Sequence, residues 1–440
     1  MKSRYESIYR EFILQDSKVI NSHKKKSKHK KIGKHRLLST CTGLTLLLIT
    51  QSALSADWDV RGNVELESKG FVYSPAYPQQ EDNRISGSIS LNPEFSYTPN
   101  DDHRILLNIF GRVDSMDDNR SHYDIRELNY LVIADEYEVT IGLTRVFWGV
   151  TESRHLIDII NQTDFVENLN GEEKLGQPMI HYNLIKDWGT VSAFVLPGFR
   201  ERTFPDYNAR FSGPLQIKTG SATYESSREE KHIDFALRYT HTIDDWDIGL
   251  SAFSGTNREP GLNATQINNQ IVLIPHYEQI NQFSVDIQQT GENILWKFEG
   301  IYRQGIGSDT ENNDDFFAAV GGLEYTFYGI AESSIDVGVI AEYLNDNRDK
   351  NLSPATNADD DIAIGFRATL NDTQDTQLLA VAMIDRKQQT TFLNIEAERR
   401  LSGAWKIELE ATLFTHVDED DIFYVMRHDD HVTARLGYYY

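Results

Sequence analysis

The chain has 440 residues, a formal net charge of −24 and a hydrophobic content of 40%. Residues 1–56 carry 12 Lys+Arg against 3 Asp+Glu, leaving 31 against 64 for the remainder. A body so acidic has no basic surface to release counterions from phosphates, which excludes a nucleic-acid partner. The lack of an apolar run of about 18 residues after residue 56 excludes a transmembrane helix there.

Residues 1–56 read as an export signal. Lys24 to Lys34 forms a basic region, Leu44–Thr50 a short apolar core, and Ala53-Leu-Ser-Ala56 a small-residue cleavage site. Cys41 is the only cysteine. Cleavage near Ala56 would remove it, and with it disulfides, thiolate catalysis and Cys-ligated metals.

From Trp58 one rhythm takes over: an alternating segment, a short turn, another segment, a long polar loop. The expected strands begin with Trp58–Glu67, Arg84–Tyr97, His103–Asp114, Tyr123–Ile133 and Tyr137–Thr144. The in/out parity of Tyr123–Ile133 is not readable. After a long loop at 148–178 come Met179–Ile185 and Thr190–Pro197, then His232–His241 and Trp246–Ser254, then Gln282–Gln289 and Ile294–Arg303. Ile271–Ile274 reads as an extra rim strand inside a loop. Phe316–Tyr328, Ser334–Asn345, Ile362–Leu370, Gln377–Asp385, Thr391–Arg400, Trp405–His416 and His431–Tyr440 complete the set.

The alternation is sharpest where Trp405, Ile407, Leu409, Ala411 and Leu413 interleave with Lys406, Glu408, Glu410, Thr412 and Phe414. A Lys or Arg facing lipid at mid-strand costs about 2–4 kcal/mol, so the charged face must meet enclosed water. Glu396 with Glu398, and Lys297 with Glu299, repeat the pattern. A soluble sandwich is the alternative, with charges outward and an oily centre. Strands of about ten residues, alternating short and long connections, and 21 Tyr, 21 Phe and 6 Trp for two interfacial girdles favour the barrel. The expected fold is all-β: a transmembrane antiparallel up-and-down β-barrel of about 16–18 strands spanning 57–440, with a long loop folded into the lumen.

That loop, 148–178, begins where alternation stops at Trp148-Gly149. Leu156, Ile157 and Ile160 are spaced for one face of a helix. Glu152, Arg154, His155, Asp158, Asp164 and Glu167 are the charges expected at a pore constriction, where a tight path and low dielectric let fields reach a solute. Arg112, Arg238, Arg303 and Arg435 alternate towards the lumen as an opposing basic wall, with Glu408 and Glu410 also on the lumen side. The other role open to these residues is structural: Arg–acid pairs that pin the loop to the wall. His155 with Asp158 has the i, i+3 spacing that could hold a metal, but one pair is a weak signal, and the His428–His431 run lacks a known ligand spacing, so no metal or other cofactor is expected. No Gly-x-Ser-x-Gly elbow and no glycine-rich phosphate loop is present.

As an architecture, 57–440 resembles the Gram-negative outer-membrane porins. Two places are more pointed. Val432–Tyr440, apolar at alternate positions and ending on Tyr440, resembles the terminal strand read by the barrel assembly machinery, although the usual last residue is Phe. The 148–178 loop is the third outer loop, the one porins fold into the pore. Its Trp148-Gly149 followed by Asp158-Ile-Ile-Asn-Gln-Thr-Asp164 resembles uncharacterised porin-like families. The resemblance implies an outer-membrane channel for passive diffusion of small solutes, partnered by lipid and the assembly machinery, with oligomerisation open. An outer-membrane hydrolase acting on lipid or peptide, or a non-conducting structural barrel, are the rival readings.

Overall fold

Eighteen of the alternating segments pair edge to edge into one closed antiparallel sheet in the computed structural model, which describes residues 57–307, 314–350 and 352–440. The export signal proposed for 1–56 lies outside the described residues. The chain divides after Asp59, and the account below concerns the second unit, Val60–Tyr440.

In chain order the strands are β1 (Trp58–Phe71), β2 (Ile85–Asn100), β3 (His103–Asp114), β4 (Tyr123–Ile133), β5 (Tyr137–Thr144), β6 (Gln177–Lys186), β7 (Gly189–Pro197), β8 (Gln216–Ile217), β9 (Thr223–Tyr224), β10 (Ile233–Ile243) and β11 (Trp246–Thr256). They continue with β12 (Gly261–Ile267), β13 (Gln270–Tyr277), β14 (Gln279–Thr290), β15 (Ile294–Ile306), β16 (Asp314–Phe327), β17 (Asp336–Asp346), β18 (Asp360–Thr369), β19 (Gln377–Asp385), β20 (Thr391–Arg400), β21 (Trp405–Thr415) and β22 (His431–Tyr439). Short β8, β9, β12 and β13 make a separate four-stranded sheet within two loops, and β13 contains the rim strand expected at Ile271–Ile274. The other 18 form the wall. β22 closes it on β1, from Asn63 opposite Tyr439 to Phe71 opposite His431. Closure leaves no strand edge unpaired, which a lipid setting demands.

The side chains sort as the alternation requires. Leu66, Leu237, Leu250, Ile364 and Leu409 are exposed on the outside. Glu67, Arg112, Glu299, Glu342 and Glu410 are buried inside. Trp188, Trp246, Trp296 and Trp405 are exposed at or near short turns, as one aromatic girdle would place them.

β4 explains its own unreadable parity. Its register against β3 runs Asn108 opposite Glu127, then Ile109 opposite Ile125, so Arg126 is an extra, bulged residue. Arg126 and Asn129 are both buried in the lumen while Ile125, Leu128 and Tyr130 are exposed outside. A strict period of two cannot describe that sequence.

Candidate functional site: the lumen loop

The connection between β5 and β6 covers 145–176, slightly N-terminal of the expected span, and it contains no helix. The helical spacing of Leu156, Ile157 and Ile160 has another cause. With Ile159 they are buried in one cluster with Met179, Phe194 and Leu196 of β6 and β7 and with Ile280 and Ile301 of β14 and β15. This patch of inner wall is apolar because the loop covers it. Ile157 and Ile160 are fully buried, each worth about 1.5–3 kcal/mol of seating. Trp148 joins the cluster, edge-on to Phe194 at 5.6 Å and under the Arg238 guanidinium at 5.1 Å.

A backbone without secondary structure must still satisfy its N–H groups. Two wall glutamates accept them. Glu299 receives Val150 N at 2.7 Å, Thr151 N at 3.1 Å, the Thr151 hydroxyl at 2.9 Å and Ile157 N at 3.3 Å. Glu342 receives Glu152 N and Ser153 N at 2.8 Å and the Ser153 hydroxyl at 2.5 Å. Asn161 clips the stem, accepting from Val146 N and donating to Thr144 O and Leu175 O, each at 2.9 Å. Two glycines permit the close approaches. A Cβ on Gly149 would lie 2.7 Å from His155 Nδ1, and one on Gly176 would lie 2.2 Å from the carbonyl oxygen of bulged Arg126.

The six predicted loop charges divide by exposure. Glu152 and Arg154 face the main lumen cavity, of about 660 Å³. Glu152 pairs with Arg367 at 2.8 Å and Lys297 at 3.7 Å. Arg154 donates to the Thr356 hydroxyl and pairs with Glu259 at 3.3 Å. His155 and Asp158 line a smaller cavity of about 200 Å³. Burial would lower the His155 pKa, but the Glu172 carboxylate at 3.3 Å and Glu299 at 4.0 Å raise it to about 10. Asp158 pairs with Lys174 at 3.1 Å and accepts from Trp148 N; burial outweighs that pair and pushes its carboxyl above the ordinary value. His155 and Asp158 therefore have separate partners rather than a shared ligand geometry.

Asp164 is fully buried, bonded to Arg126 at 2.5 Å and to the Thr203 hydroxyl at 2.7 Å. Burial alone would raise its pKa, yet His122, Arg126 and Thr203 hold it at about 2. Glu167, also buried, pairs with Arg112 at 2.9 Å and is among the residues lining the main cavity. Burial raises its pKa against the pull of Arg112 and Arg120.

The wall residues all face inward, but the four arginines do not make one basic wall. Arg112 holds Glu167, Arg238 holds Asp286 at 2.8 Å, Arg303 holds Glu259 at 2.8 Å, and Arg435 bridges Glu67 at 3.0 Å and Glu410 at 2.7 Å. Glu408 pairs with Lys406 at 2.9 Å. Sequence reasoning passed over Arg126, Arg202, Arg258, Glu259 and Glu342. Arg258 is the clearest case: it reaches from the loop after β11 to the Ile160 carbonyl at 3.0 and 3.1 Å and anchors itself on Asp234 at 2.8 Å. Only the partner, 98 positions away, distinguishes it from any other loop arginine.

No family model matches the chain, and no curated protein matches it. Solved structures do. OccD3 (OpdP) of Pseudomonas aeruginosa is 10% identical, with 88% of this chain and 92% of that one covered at a TM-score of 0.51. Wzi of Escherichia coli, a carbohydrate-binding outer-membrane barrel, is 9% identical over 85% and 83% at 0.48. OmpT of Vibrio cholerae is 11% identical over 88% and 100% at 0.44. At these identities the likeness concerns architecture alone. With an 18-stranded closed wall, an apolar exterior and a charged lumen, the chain has the fold of the outer-membrane porin-like β-barrels.

Proposed function

We propose that the protein is a channel of a Gram-negative outer membrane through which small solutes diffuse passively. The third outer loop sets the constriction. The observation that carries this reading is the main lumen cavity, about 660 Å³, left open between that loop and the wall of β18–β21. Backbone hydrogen bonds are satisfied within the closed sheet, so the wall can stand in lipid. Inward charges keep the path wet, and their pairing across the cavity, Glu152 to Arg367, sets a transverse field that a passing solute must cross. The reading needs no cofactor and no chemistry. Assembly would use the terminal strand, where Tyr440 exchanges backbone hydrogen bonds with Gly62 at 3.0 and 3.1 Å and so completes the ring.

Single-channel recording of refolded 57–440 in planar bilayers tests it. Discrete, steady conductance steps are expected. A folded, inserted barrel that passes no ions would refute the reading. Turnover of a lipid or peptide substrate, abolished by one Ser or His substitution and without conductance, would replace it with a hydrolase.

A further inference from the structure

Eight Asp or Glu and six Lys or Arg line the main cavity, and nearly all are spent on one another or on neighbours. Asp114, Glu152, Glu167, Glu259 and Glu410 are held by Arg120, Arg367, Arg112, Arg303 and Arg435 respectively. Glu172 faces His155 at 3.3 Å, Arg154 shares Glu259, and Arg210 pairs with Asp429 at 3.0 Å. Asp117 accepts the backbone N–H groups of Asn119, Arg120 and Asp206. That leaves Glu396 among the acids. It is exposed to the lumen and accepts from the Asn394 amide at 2.7 Å, and among the described residues no Lys, Arg or His nitrogen lies within 4.0 Å of its carboxylate. Among the cations it leaves Lys69 and Arg202, neither with a described carboxylate within 4.0 Å. The Lys69 ammonium lies over the Phe211 ring at 4.7 Å, and Arg202 donates to Gln162 at 3.4 Å.

Two of these unpaired groups, of opposite sign, belong to one row of the wall. Glu396 of β20 stands opposite Glu410 of β21, Glu410 opposite Thr433 of β22, and Thr433 opposite Lys69 of β1. The row faces inward: Glu410 and Thr433 are buried while their strand neighbours Leu409 and Val432 are exposed outside, and Lys69 has the parity of buried Glu67. Three strand spacings put the Cα atoms of Glu396 and Lys69 about 14 Å apart. The wall curves around the lumen, so inward side chains converge and the two charges stand on the order of 10 Å apart. Neither end can be neutralised from within the row. Arg435, between them, is taken by Glu410 at 2.7 Å and Glu67 at 3.0 Å. On the far side of Glu396 come Leu379 and then Arg367, which Glu152 holds. Arg202 lies on the connection between β7 and β8, outside the row.

We infer that this row is a subsite for an elongated zwitterion with its charges about 10 Å apart, its ammonium at Glu396 and its carboxylate at Lys69. The inference rests on the channel reading and adds the class of solute. Two fixed charges of opposite sign, each lacking a counter-charge in the protein, reward a solute that carries both at the same spacing. A solute with one charge satisfies one end and leaves the other unmatched, and a short zwitterion spans too little of the row to meet both. Selectivity then comes from matching a pair of charges, which a lining of nearly balanced sign permits.

The experiment is blockade of single-channel current in potassium chloride by trialanine, its C-terminal amide, its N-acetyl derivative and glycine. Three extended residues span about 10 Å, so trialanine carries its charges at the required spacing and each cap removes one of them. Trialanine should block at concentrations about fivefold below either capped form, the scale of one solvent-exposed charge pair. Glycine should block no better than the capped forms. Lys69→Gln should bring trialanine level with its amide, and Lys69→Arg should restore the gap. Glu396→Gln should bring it level with the N-acetyl form. Equal block by free and capped peptides in the unaltered channel overturns the subsite. So does a gap that survives both substitutions in channels of normal conductance, or one that is lost with Arg202→Gln and kept with Lys69→Gln. If the barrel inserts but does not conduct, the channel reading fails by itself. Calorimetric titration of trialanine into the detergent-held protein then decides the subsite: binding weakened by Lys69→Gln and by Glu396→Gln sustains it, and no binding, or binding indifferent to both, ends it.

Discussion

The buried pair of Arg126 and Asp164 should govern how firmly the constriction stays in place. Asp164 is fully buried, bonded to Arg126 at 2.5 Å and to Thr203 at 2.7 Å. Its carboxyl is held at about 2, against an ordinary 3.8, by His122, Arg126 and Thr203 against the pull of burial, a stabilisation on the order of 2 kcal/mol. Removing one partner of a buried ion pair costs about 3–5 kcal/mol, because the other charge is stranded. The two figures agree in order of magnitude, which sets a scale. If the native loop is unseated about one part in a thousand of the time, a loss of about 2 kcal/mol raises that to a few per cent. Asp164→Asn should therefore add brief current steps of higher conductance to a quiet record, and Arg126→Gln combined with it should cost less than the two changes separately. The sign with pH follows. A carboxylate whose folded pKa is depressed stabilises fully above its unfolded value near 4 and loses that as pH falls towards 2. His155, raised to about 10, contributes fully below about 6.5 and fades as pH rises through 10. The seated loop should be steadiest between about pH 5 and 6.5, loosening gradually as pH rises towards 10 and again as it falls towards 2. A quiet Asp164→Asn channel with unchanged thermal stability would refute this reasoning.

The other predictions concern single positions. Glu152→Gln removes a cavity-facing negative charge and should move the zero-current potential in a salt gradient towards anion preference, whereas Asp158→Asn, whose side chain is only 2% exposed, should leave it in place. Gly149→Ala sets a Cβ 2.7 Å from the His155 ring and 3.0 Å from Phe147, so a cost of about 1–3 kcal/mol should appear as a lower unfolding midpoint and a noisier current. On the lipid face, Leu409→Arg should cost about 2–4 kcal/mol in vesicle refolding. Glu408→Gln, one residue along and facing water, should cost under about 1 kcal/mol because Lys406 keeps its pair with Glu398.

The wall was legible because its rule is local. A strand in a lipid-spanning barrel needs polarity to alternate within itself, so β21 states its own orientation whatever its neighbours are. β4 was illegible for a reason equally local: one bulged residue, Arg126, breaks the period, and nothing in the run Tyr123–Ile133 marks which residue is extra. The third loop follows no local rule. Its Leu and Ile spacing imitated a helix because wall contacts, unlike helix turns, impose no fixed period, and any spacing that meets Met179, Phe194 and Ile301 will serve. Its charges carried their positions but not their partners, which lie on strands and loops tens to hundreds of positions away.

The division of labour between loop and wall also bears on selectivity. Unstructured backbone in the lumen must find acceptors, and Glu299 and Glu342 supply them from the wall. Those two carboxylates are therefore largely spent on backbone N–H groups and exert little field on a solute. The same holds for Asp164, neutralised by Arg126 in a place no solute reaches. Most of the acidic count of this lumen is structural, which is how a strongly acidic protein can still present exposed guanidiniums at its main cavity. Even so, acids outnumber Lys and Arg on the lining of the main cavity by eight to six, so the cavity keeps the sign of the whole chain.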